Sequence, residues 1–392
     1  MKKNKKHIKK VALVHDWFSY KYRGGAEKAL KVIDKVLKEN YSTPSLYGLV
    51  ANIKKDEEDW LFERDISTSF INKLPFNKNH FQKYLPLFPL AIEQLDLEDY
   101  PLVVSSSHLV AKGVLTSPNQ LHVSYVHTPM RYAWDQMNTY LRSSSISRYG
   151  MKPILRLILH NLRIWDQLSS MRIDKICTNS NFTAKRIKKY WGRDSRVIYG
   201  PVEVDKFGCN SNRGNFYLSV SRLVPNKRVD ILVRAFNNLG YPLIVIGSGP
   251  EILKIKKIAR KNIQVLGFQS DEKIKKLMET CRAFVYAGIE DFGITPVEAM
   301  AAGAPVIALK KGGLLDTVNC ISSSSGVKTG ILFNEQNVKS VIDSVKWFED
   351  SKTYKELCAS SINNWSKKFS KENFYSNFKQ FLDDSLEDSD LI

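Results

Sequence analysis

Short apolar runs alternate along the first half of the chain with longer segments whose apolar residues recur at helical spacing. The apolar runs lie at 11–17, 45–50, 100–107 and 121–127. The segment 23–40 opens on glycines and keeps apolar residues three and four apart, whereas 175–192 predicts a strand followed by a helix that begins near Ser180 or Asn181. Strands that alternate with helices predict a parallel sheet covered on both faces, which is the α/β class.

The same alternation restarts after an interruption near residues 201–212, where Pro201, Gly208 and a run of polar residues break the periodicity. Strands are predicted within 215–223, 241–251, 263–268, 282–288 and 305–313, and helices within 225–239, 271–281, 295–304, 338–350 and 370–386. A chain of 392 residues also exceeds the usual size of one domain. We therefore expect an N-terminal α/β domain over 1–203 and a C-terminal one over 204–369.

Composition narrows the class of protein. With 43% hydrophobic and 25% charged residues the chain has an ordinary globular composition. No run of about 18 apolar residues occurs, so no transmembrane helix is expected, and the apolar segment after the basic N-terminus is too short for a signal peptide. Five scattered cysteines without a C-x-x-C pair indicate neither a disulfide framework nor a zinc site, and we expect a cytoplasmic protein.

The net charge of +19 is distributed unevenly. Residues 1–200 contain 33 Lys and Arg against 18 Asp and Glu, and within them residues 141–200 contain 13 against 3. Such a concentration attracts an anionic partner, for example lipid headgroups, nucleic acid or a phosphorylated substrate. A generally lysine-rich composition without a specific surface is the alternative.

Several residues suited to binding phosphate directly follow predicted strands. Gly24 and Gly25 open a helix, and the turn ending in Gly249 is similar; such glycines let the backbone approach a phosphate at a helix N-terminus. Arg222 ends a strand and Lys227 begins the next helix, which together suit a diphosphate. Each feature taken alone is equally compatible with a plain strand–helix turn or with surface cations.

The run from Glu290 to Glu298 is the most specific feature of the sequence. It reads EDFGITPVE, and a glycine and a proline at a helix start leave backbone N–H groups free for an anion. Carboxylates accept hydrogen bonds from the vicinal hydroxyls of ribose or hexose. The two glutamates are therefore candidates to hold two sugar units of one ligand. Helix capping alone explains Glu298 but not the whole run.

A second group of polar residues follows the strands of the first half. His127 ends a strand and leads into a polar and aromatic segment suited to sugar recognition. Other candidates there, with structural roles as the alternative, are His15, Asp16, His108, Arg131 and Asp135. The sequence contains no H-E-x-x-H, Walker or G-x-S-x-G motif, and its D-x-D at Asp388–Asp390 lies in a predicted frayed tail, so no metal site is expected.

On these residues the chain resembles the retaining glycosyltransferases of family 4, which have the GT-B fold. The resemblance runs over almost the full length, and E-x₇-E followed by Ala-x-x-x-Gly-x-Pro-Val is its most specific part. The matching segments are 24–25, 178–187, 197–207, 219–230, 245–251, 266–268 and 290–309. Segments 14–30 and 127–135 resemble a bacterial branch that contains mannosyltransferases of O-antigen (lipopolysaccharide) and exopolysaccharide assembly. Gly200 and Glu203 stand where Pro and Asp are usual.

The resemblance implies two Rossmann-like domains whose parallel sheets face a central cleft, with the helix at 370–392 crossing back to the N-terminal domain. It implies that Glu290 lies against the donor sugar, that Glu298 holds the ribose, and that His127 faces the donor sugar near the reacting carbon. It implies donor contacts, namely the diphosphate, sugar oxygens or base, for Gly24, Gly25, Arg222, Lys227, Gly249, Phe268, Gly293, Ile294 and Thr295.

The implied reaction transfers a hexose, with mannose from GDP-mannose as first choice, onto a saccharide or a polyprenyl-diphosphate-linked acceptor, with no metal or other cofactor. A UDP-sugar donor and a GT-B sugar-nucleotide epimerase are the alternatives. The segment 151–165 predicts an amphipathic helix that contacts an anionic membrane at its inner face, or else an ordinary core-facing helix. No module that reads nucleic acid is recognisable, so no nucleic-acid partner is expected.

Overall fold

The computed structural model describes residues 8–19, 24–53, 60–76, 80–143, 151–352, 355 and 357–389. Asp390 of the D-x-D and residues 144–150 of the basic segment lie outside these ranges. The chain divides into two compact units, Met1–Tyr199 with Phe374–Ile392, and Gly200–Asn373. The predicted functional domain limits at 203 and 369 stay predictions, since compactness and function need not divide a chain at the same residue.

The first unit is built on a parallel sheet of seven strands in the order β5-β3-β1-β6-β7-β8-β9. Its strands are β1 Val11–His15, β3 Ser45–Gly48, β5 Ile66–Thr68, β6 Leu102–Ser107, β7 Leu121–Val126, β8 Lys175–Thr178 and β9 Arg196–Val197, and a separate pair is formed by β2 Phe18–Ser19 and β4 Ala51–Asn52. β1 lies between β3 and β6, with His15 opposite Ser106. The chain therefore builds the sheet from β1 to one edge through β3 and β5, and then to the other edge from β6 onwards. The carboxyl ends of β1 and β6 border the crevice in which such sheets bind ligands.

Successive residues of β1 point to opposite faces of this sheet. Because all of them are apolar except His15, both faces need to be covered, and helices cover both. The helices are α1 Gly25–Asn40, α2 Phe88–Glu93, α3 Met137–Ser143, α4 Lys152–Ser170, α5 Asn181–Trp191 and α13 Lys371–Glu387. Val11 and Leu13 pack in one core with α1 and the part of α13 that belongs to this unit. Ala12 and Val14 pack in the opposite core with α2 and α4.

The second unit has a parallel sheet of six strands in the order β12-β11-β10-β13-β14-β15. The strands are β10 Tyr217–Val220, β11 Leu243–Ile246, β12 Ile263–Gly267, β13 Ala283–Tyr286, β14 Val306–Leu309 and β15 Gly330–Phe333. The helices are α6 Val229–Leu239, α7 Ile252–Ile258, α8 Asp271–Thr280, α9 Ile294–Ala301, α10 Leu314–Thr317, α11 Val338–Asp350 and α12 Ala359–Ser366. This is the 3-2-1-4-5-6 order of a Rossmann-like domain, with its reversal between β10 and β13.

The predicted helix over 225–239 is divided in two. A 3-10 turn spans Pro225–Lys227, and Arg228 then adopts a left-handed conformation with φ 51° before α6 begins. The interruption keeps Lys227 out of α6, in the loop between β10 and that helix. The sequence predicted one helix because Pro225 is typical of a helix start, although the apolar periodicity begins only at Val229.

Candidate active site

The second unit places its predicted site residues at the point where its strand order reverses. Arg222 and Lys227 follow β10, and Glu290 follows the adjacent strand β13. Ligands of open α/β sheets bind outside the carboxyl ends of strands at such a point. Arg222 is exposed, whereas the Lys227 and Glu290 side chains are only 13% and 18% exposed.

Lys227 and Glu290 form an ion pair across this reversal point. The Lys227 ammonium contacts Oε1 of Glu290, and the Tyr286 hydroxyl donates a hydrogen bond to the same oxygen. Sequence reasoning named Lys227 and Glu290 but missed Tyr286. The available signal was a hydroxyl on the last residue of a buried strand, four positions before Glu290.

The backbone around Glu290 is held by a glycine-rich connection. The Gly313 N–H donates to the Glu290 carbonyl over 2.8 Å, and Gly293 has φ 97° as the residue before α9. A Cβ at Gly293 would lie 2.6 Å from Leu314 Cδ2, so a larger residue would displace that side chain and strain the backbone at this φ. The loop therefore closes tightly and turns directly into α9.

Ile294 and Thr295 are the first residues of α9, so their N–H groups have no acceptor one turn earlier in the helix and can face an anion. Glu298 lies half-buried one turn further along α9. Its negative charge is among the influences that raise the pKa of Lys206, after the direct hydrogen bond to Glu203. The ammonium of Lys206 therefore belongs to the surroundings of Glu298.

The turn containing Gly249 is joined by hydrogen bonds to the segment that contains Arg222. Leu223 donates to the Ser248 carbonyl over 2.8 Å and accepts from the Glu251 N–H over 3.0 Å. Gly249 has φ 153°, and a Cβ there would lie 2.4 Å from the Leu223 carbonyl oxygen. The glycine thus allows two loops at the strand ends to approach each other.

Phe268 follows β12 and is 81% exposed. An aromatic ring that is solvated to this degree contributes little to the core of its unit. It is available for stacking on a planar ligand group, which is compatible with the predicted place beside a nucleotide base.

In the first unit the predicted histidines gather at the ends of β1, β6 and β7. His15 Nδ1 lies 2.7 Å from the Ser106 carbonyl oxygen, and His127 Nε2 lies 2.9 Å from the Ser106 hydroxyl. Both histidines are buried, and burial lowers the pKa of each below its usual value. The two rings are therefore neutral at physiological pH. Nε2 of His15 has no hydrogen-bond partner among the described residues.

Asp16 organises the loop after β6. Its fully buried carboxylate accepts from the backbone N–H groups of His108, Leu109, Val110 and Ala111 over 2.6–3.1 Å. His108 Nδ1 also lies 3.0 Å from Oδ2 of Asp16. Burial by itself raises the pKa of Asp16, but His108 and the backbone donors hold it well below its usual value. The carboxylate is thus a charged support for His108.

The pKa of His108 shows the reciprocal effect. Burial lowers it, but the Asp16 carboxylate outweighs burial and raises the pKa above its usual value. The His108 and Trp17 rings are nearly perpendicular, with 4.4 Å between their centroids, and the His108 side chain is 23% exposed. His108 is therefore the histidine of this group that is disposed to be positively charged.

The remaining predicted residues of the first unit lie on neighbouring segments. Gly24 precedes α1 and donates its N–H to Glu27 over 2.6 Å, and Gly25 is the first residue of that helix. Arg131 accepts through its carbonyl from the Gln136 N–H, so it lies within a turn after β7. Asp135 forms an ion pair with the buried Arg186 of α5.

Two general findings concern the part of the chain that the structure describes. No group of three or more His, Cys, Asp or Glu side chains there is arranged to hold a metal ion. None of the described helices combines the length and apolar character that crossing a bilayer requires.

Residues 203–368 match the family model described as Glycosyl transferases group 1. An uncharacterized glycosyltransferase of Methanocaldococcus jannaschii is 29% identical over 224 residues, covering 55% of this chain and 62% of that protein. A protein of Mycobacterium tuberculosis named GDP-mannose-dependent alpha-(1-6)-phosphatidylinositol monomannoside mannosyltransferase is 28% identical over 229 residues, covering 50% and 56%. The chain thus spans less than two thirds of these curated relatives.

A solved structure extends the likeness over nearly the whole chain. The Anabaena protein HepE, in complex with UDP and glucose, has a TM-score of 0.64 at 16% identity and covers 96% of this chain and 99% of its own. At this identity the likeness concerns the fold. The chain therefore has the GT-B fold, and its residues 203–368 are similar to the glycosyl transferases group 1 family.

Proposed function

We propose that this chain is a retaining family 4 hexosyltransferase that moves a hexose from a nucleotide sugar onto a saccharide or lipid-linked saccharide. The first-choice donor is GDP-mannose, and the setting is the assembly of lipopolysaccharide or another cell-surface polysaccharide. The observation that supports this most strongly is the Lys227–Glu290 pair at the strand reversal within the segment that is similar to the group 1 family. It puts a cation that can bind the diphosphate beside a carboxylate that can accept a hydrogen bond from a sugar hydroxyl.

In the proposal the second unit binds the donor. Arg222 and Lys227 neutralise the diphosphate as its bond to the sugar breaks, and the N–H groups of Ile294 and Thr295 bind phosphate or sugar oxygens. Glu290 accepts a hydrogen bond from the sugar and Glu298 from the ribose, while Phe268 borders the base. Preorganised cations and helix amides can stabilise this leaving group, so the mechanism needs no metal.

The first unit contributes the acceptor side. Burial lowers the pKa of His127, and the Ser106 hydroxyl lies beside its Nε2. The role proposed for His127 is contact with the donor sugar near the reacting carbon. His15, His108, Arg131 and Asp135 are proposed acceptor contacts. Asp16 was also predicted as one, and its fully engaged carboxylate supports a positioning role through His108 instead. Retention then follows from front-face attack, in which the leaving phosphate takes the acceptor proton and no enzyme nucleophile is required.

The donor is identified by thermal unfolding in the presence of a panel of nucleotide sugars. A ligand that binds only the folded state raises the unfolding midpoint. The name of the mycobacterial relative favours GDP-mannose, whereas HepE was solved with UDP, so the panel includes GDP- and UDP-sugars. We expect GDP-mannose to give the largest shift. A shift from UDP-sugars alone would replace the donor, and no shift from any nucleotide sugar would overturn the proposal.

The role of Glu290 is tested by Glu290→Ala, with Asp343→Ala as the control. Asp343 is a carboxylate on α11 of the same unit, outside the candidate site. We expect Glu290→Ala to abolish measurable sugar transfer and Asp343→Ala to retain it. Full transfer by Glu290→Ala would refute the assigned donor site.

Product analysis with donor alone separates the proposal from the epimerase alternative. A transferase leaves the nucleotide sugar intact or hydrolyses it slowly, whereas an epimerase converts it to an isomer. Accumulation of the isomeric nucleotide sugar would therefore contradict the proposed reaction and support the alternative.

We further propose that α4 contacts an anionic membrane at the cytoplasmic face. Its buried side includes Leu155, Leu159 and Leu162. Its solvent side exposes four large apolar residues at spacings of three, seven and four. Their exposed fractions are 52% for Ile154, 61% for Leu157, 47% for Ile164 and 60% for Leu168, and Met171, directly after the helix, is 61% exposed. Lys152 and Arg156 are exposed at the N-terminal end. An apolar stripe with basic neighbours suits a surface of anionic lipids.

Vesicle co-sedimentation tests this contact. We expect binding to phosphatidylglycerol-containing vesicles that weakens at high salt, and loss of binding in the variant L157N/L168N. Leu253→Asn, which changes a leucine 78% exposed in the second unit, is the control and should bind normally. Absence of wild-type binding at both low and high salt would overturn the membrane assignment. A dimer in sedimentation that the variant L157N/L168N dissociates would overturn it too, because the apolar stripe would then join two copies of the chain.

A further inference from the structure

Tyr286 shares an oxygen atom of Glu290 with Lys227. Its hydroxyl and the Lys227 ammonium both contact Oε1 of the Glu290 carboxylate. Tyr286 is the last residue of β13 and is only 4% exposed. Oε2 of Glu290 is the oxygen left for a ligand.

The position of the Tyr286 side chain is set by close packing. Its ring stacks on Phe284 with 6.2 Å between centroids and a 12° interplanar angle. A Cβ at Gly288 would lie 3.0 Å from Cε1 of Tyr286 and 3.3 Å from Cα of Lys227. Gly288 thus lets the tyrosine ring and the Lys227 backbone pack at the same place, and the hydroxyl has little freedom to move.

The phenol acts as a donor at every physiological pH. Burial first, and the Glu290 carboxylate next, raise the pKa of Tyr286 well above its usual value. Glu290 therefore keeps one neutral hydrogen-bond donor whatever happens to its cation.

A bound diphosphate changes the balance of charge at this pair. The Lys227 ammonium is attracted by the phosphate oxygens, which offer more negative charge than one carboxylate. If Lys227 turns towards them, Glu290, with a side chain only 18% exposed, loses its counter-ion. A partly buried carboxylate without a partner is unfavourable and mobile unless another donor holds it.

We propose that Tyr286 is a positioning residue that holds Glu290 through Oε1 while Lys227 passes to the donor diphosphate. Oε2 then accepts a hydroxyl of the transferred sugar. The inference rests on the proposed function and adds a residue that selects the complete nucleotide sugar over the nucleoside diphosphate. Selection arises because Tyr286 acts only through the carboxylate that faces the sugar.

The test compares two affinities in each variant by calorimetric titration, using GDP-mannose and GDP, or the matching pair for the donor selected by the panel. We expect Tyr286→Phe to weaken nucleotide-sugar binding about fivefold to tenfold, roughly 1–1.4 kcal/mol, and to change diphosphate binding less than about twofold. Transfer kinetics should show a matching rise in the KM for the donor. Gly288→Ala crowds both the Tyr286 ring and the Lys227 backbone. It should weaken binding of both ligands, and of the nucleotide sugar more than of the diphosphate, and it provides a second variant if Tyr286→Phe folds poorly.

Tyr217→Phe is the matched control. The buried Tyr217 hydroxyl also donates to a glutamate, Glu349, over 2.6 Å in the same unit, but at the opposite end of the sheet, on the first residue of β10. Its removal should leave the ratio of the two affinities unchanged. An unchanged ratio in both Tyr286→Phe and Gly288→Ala would overturn the inference while leaving the proposed function intact. Failure of the wild type to bind either ligand would overturn the proposed function itself, before any variant is compared.

Discussion

The buried ion pair between Lys112 and Asp166 allows a quantitative prediction for Lys112→Met. Lys112 lies in a 3-10 turn, and Asp166 on α4; their side chains are 1% and 0% exposed. Nζ of Lys112 lies 3.1 Å from Oδ1 of Asp166 and 2.6 Å from the Ser169 hydroxyl. It also lies 4.8 Å from the centroid of the Trp165 ring and 4.9 Å from that of the Trp191 ring. Methionine keeps most of the side-chain volume but removes the charge.

The predicted loss follows from the charge that is left behind. Removing one partner of a buried ion pair costs about 3–5 kcal/mol, because the other charge stays buried without compensation. Asp166 keeps hydrogen bonds from the Trp134 and Trp191 indoles at 2.8 and 2.7 Å, so we expect the lower end, about 3 kcal/mol. For a unit of roughly 200 residues this corresponds to a fall of about 6–12 °C in the midpoint.

Urea unfolding followed by tryptophan fluorescence measures this loss, since two of the contacting residues are tryptophans. Lys175→Met is the control, because Lys175 and Asp388 form an ion pair that is 36% and 65% exposed and should change stability by less than about 1 kcal/mol. The variant K112M/D166N, which removes both charges but keeps an oxygen that can accept from the two indoles, should recover much of the loss. A Lys112→Met variant as stable as the control would refute the assignment of Asp166 as a buried charge.

Three further predictions concern single residues. Ser106→Ala removes the hydroxyl beside Nε2 of the buried His127, so urea unfolding should show a loss of about 1–3 kcal/mol, and transfer assays a lower kcat. Gly249→Ala places a Cβ against the Leu223 carbonyl at φ 153°, so thermal unfolding should show a loss of about 1–3 kcal/mol with weaker donor binding. Burial by itself raises the pKa of Glu203, but hydrogen bonds from Lys206 and Lys371 lower it from 4.5 to about 2. The stability that Glu203 contributes is therefore present above pH 4.5 and is lost as the pH falls towards 2. Denaturation at pH 5 and pH 3 should therefore show wild type losing its advantage over Glu203→Gln.

The strands and the residues after them could be predicted from sequence because buried parallel strands are continuous apolar runs. That pattern alone placed Arg222, Lys227 and Glu290 after strands. It contained no strand order, so it could not show that β10 and β13 are adjacent and that Lys227 reaches Glu290. Short strands such as β5, with three residues, were missed because they are too short to show a period.

Burial and long-range partners were the main information that sequence patterns lacked. Asp16 was a candidate ligand contact, but its partners lie more than 90 residues away along the chain and occupy its carboxylate. The pattern of 151–165 predicted either an amphipathic helix that contacts a membrane or an ordinary core-facing helix with an exposed basic side. The structure shows that its exposed side carries the large apolar residues Ile154, Leu157, Ile164 and Leu168 beside polar ones, with Lys152 and Arg156 near the N-terminal end. Periodicity alone does not show which of two apolar sides of a helix faces the core.

The central claim is that the second unit binds a nucleotide-sugar donor through Glu290, Lys227 and Glu298. Its most direct test is calorimetric titration of the whole chain with GDP-mannose, repeated with Glu298→Ala. The account predicts one binding site per chain, displaced by GDP, with affinity lowered about tenfold in the variant because a hydrogen bond to a charged group is lost. Equal affinity in wild type and Glu298→Ala, or no binding of GDP-mannose or any UDP-sugar, would contradict it.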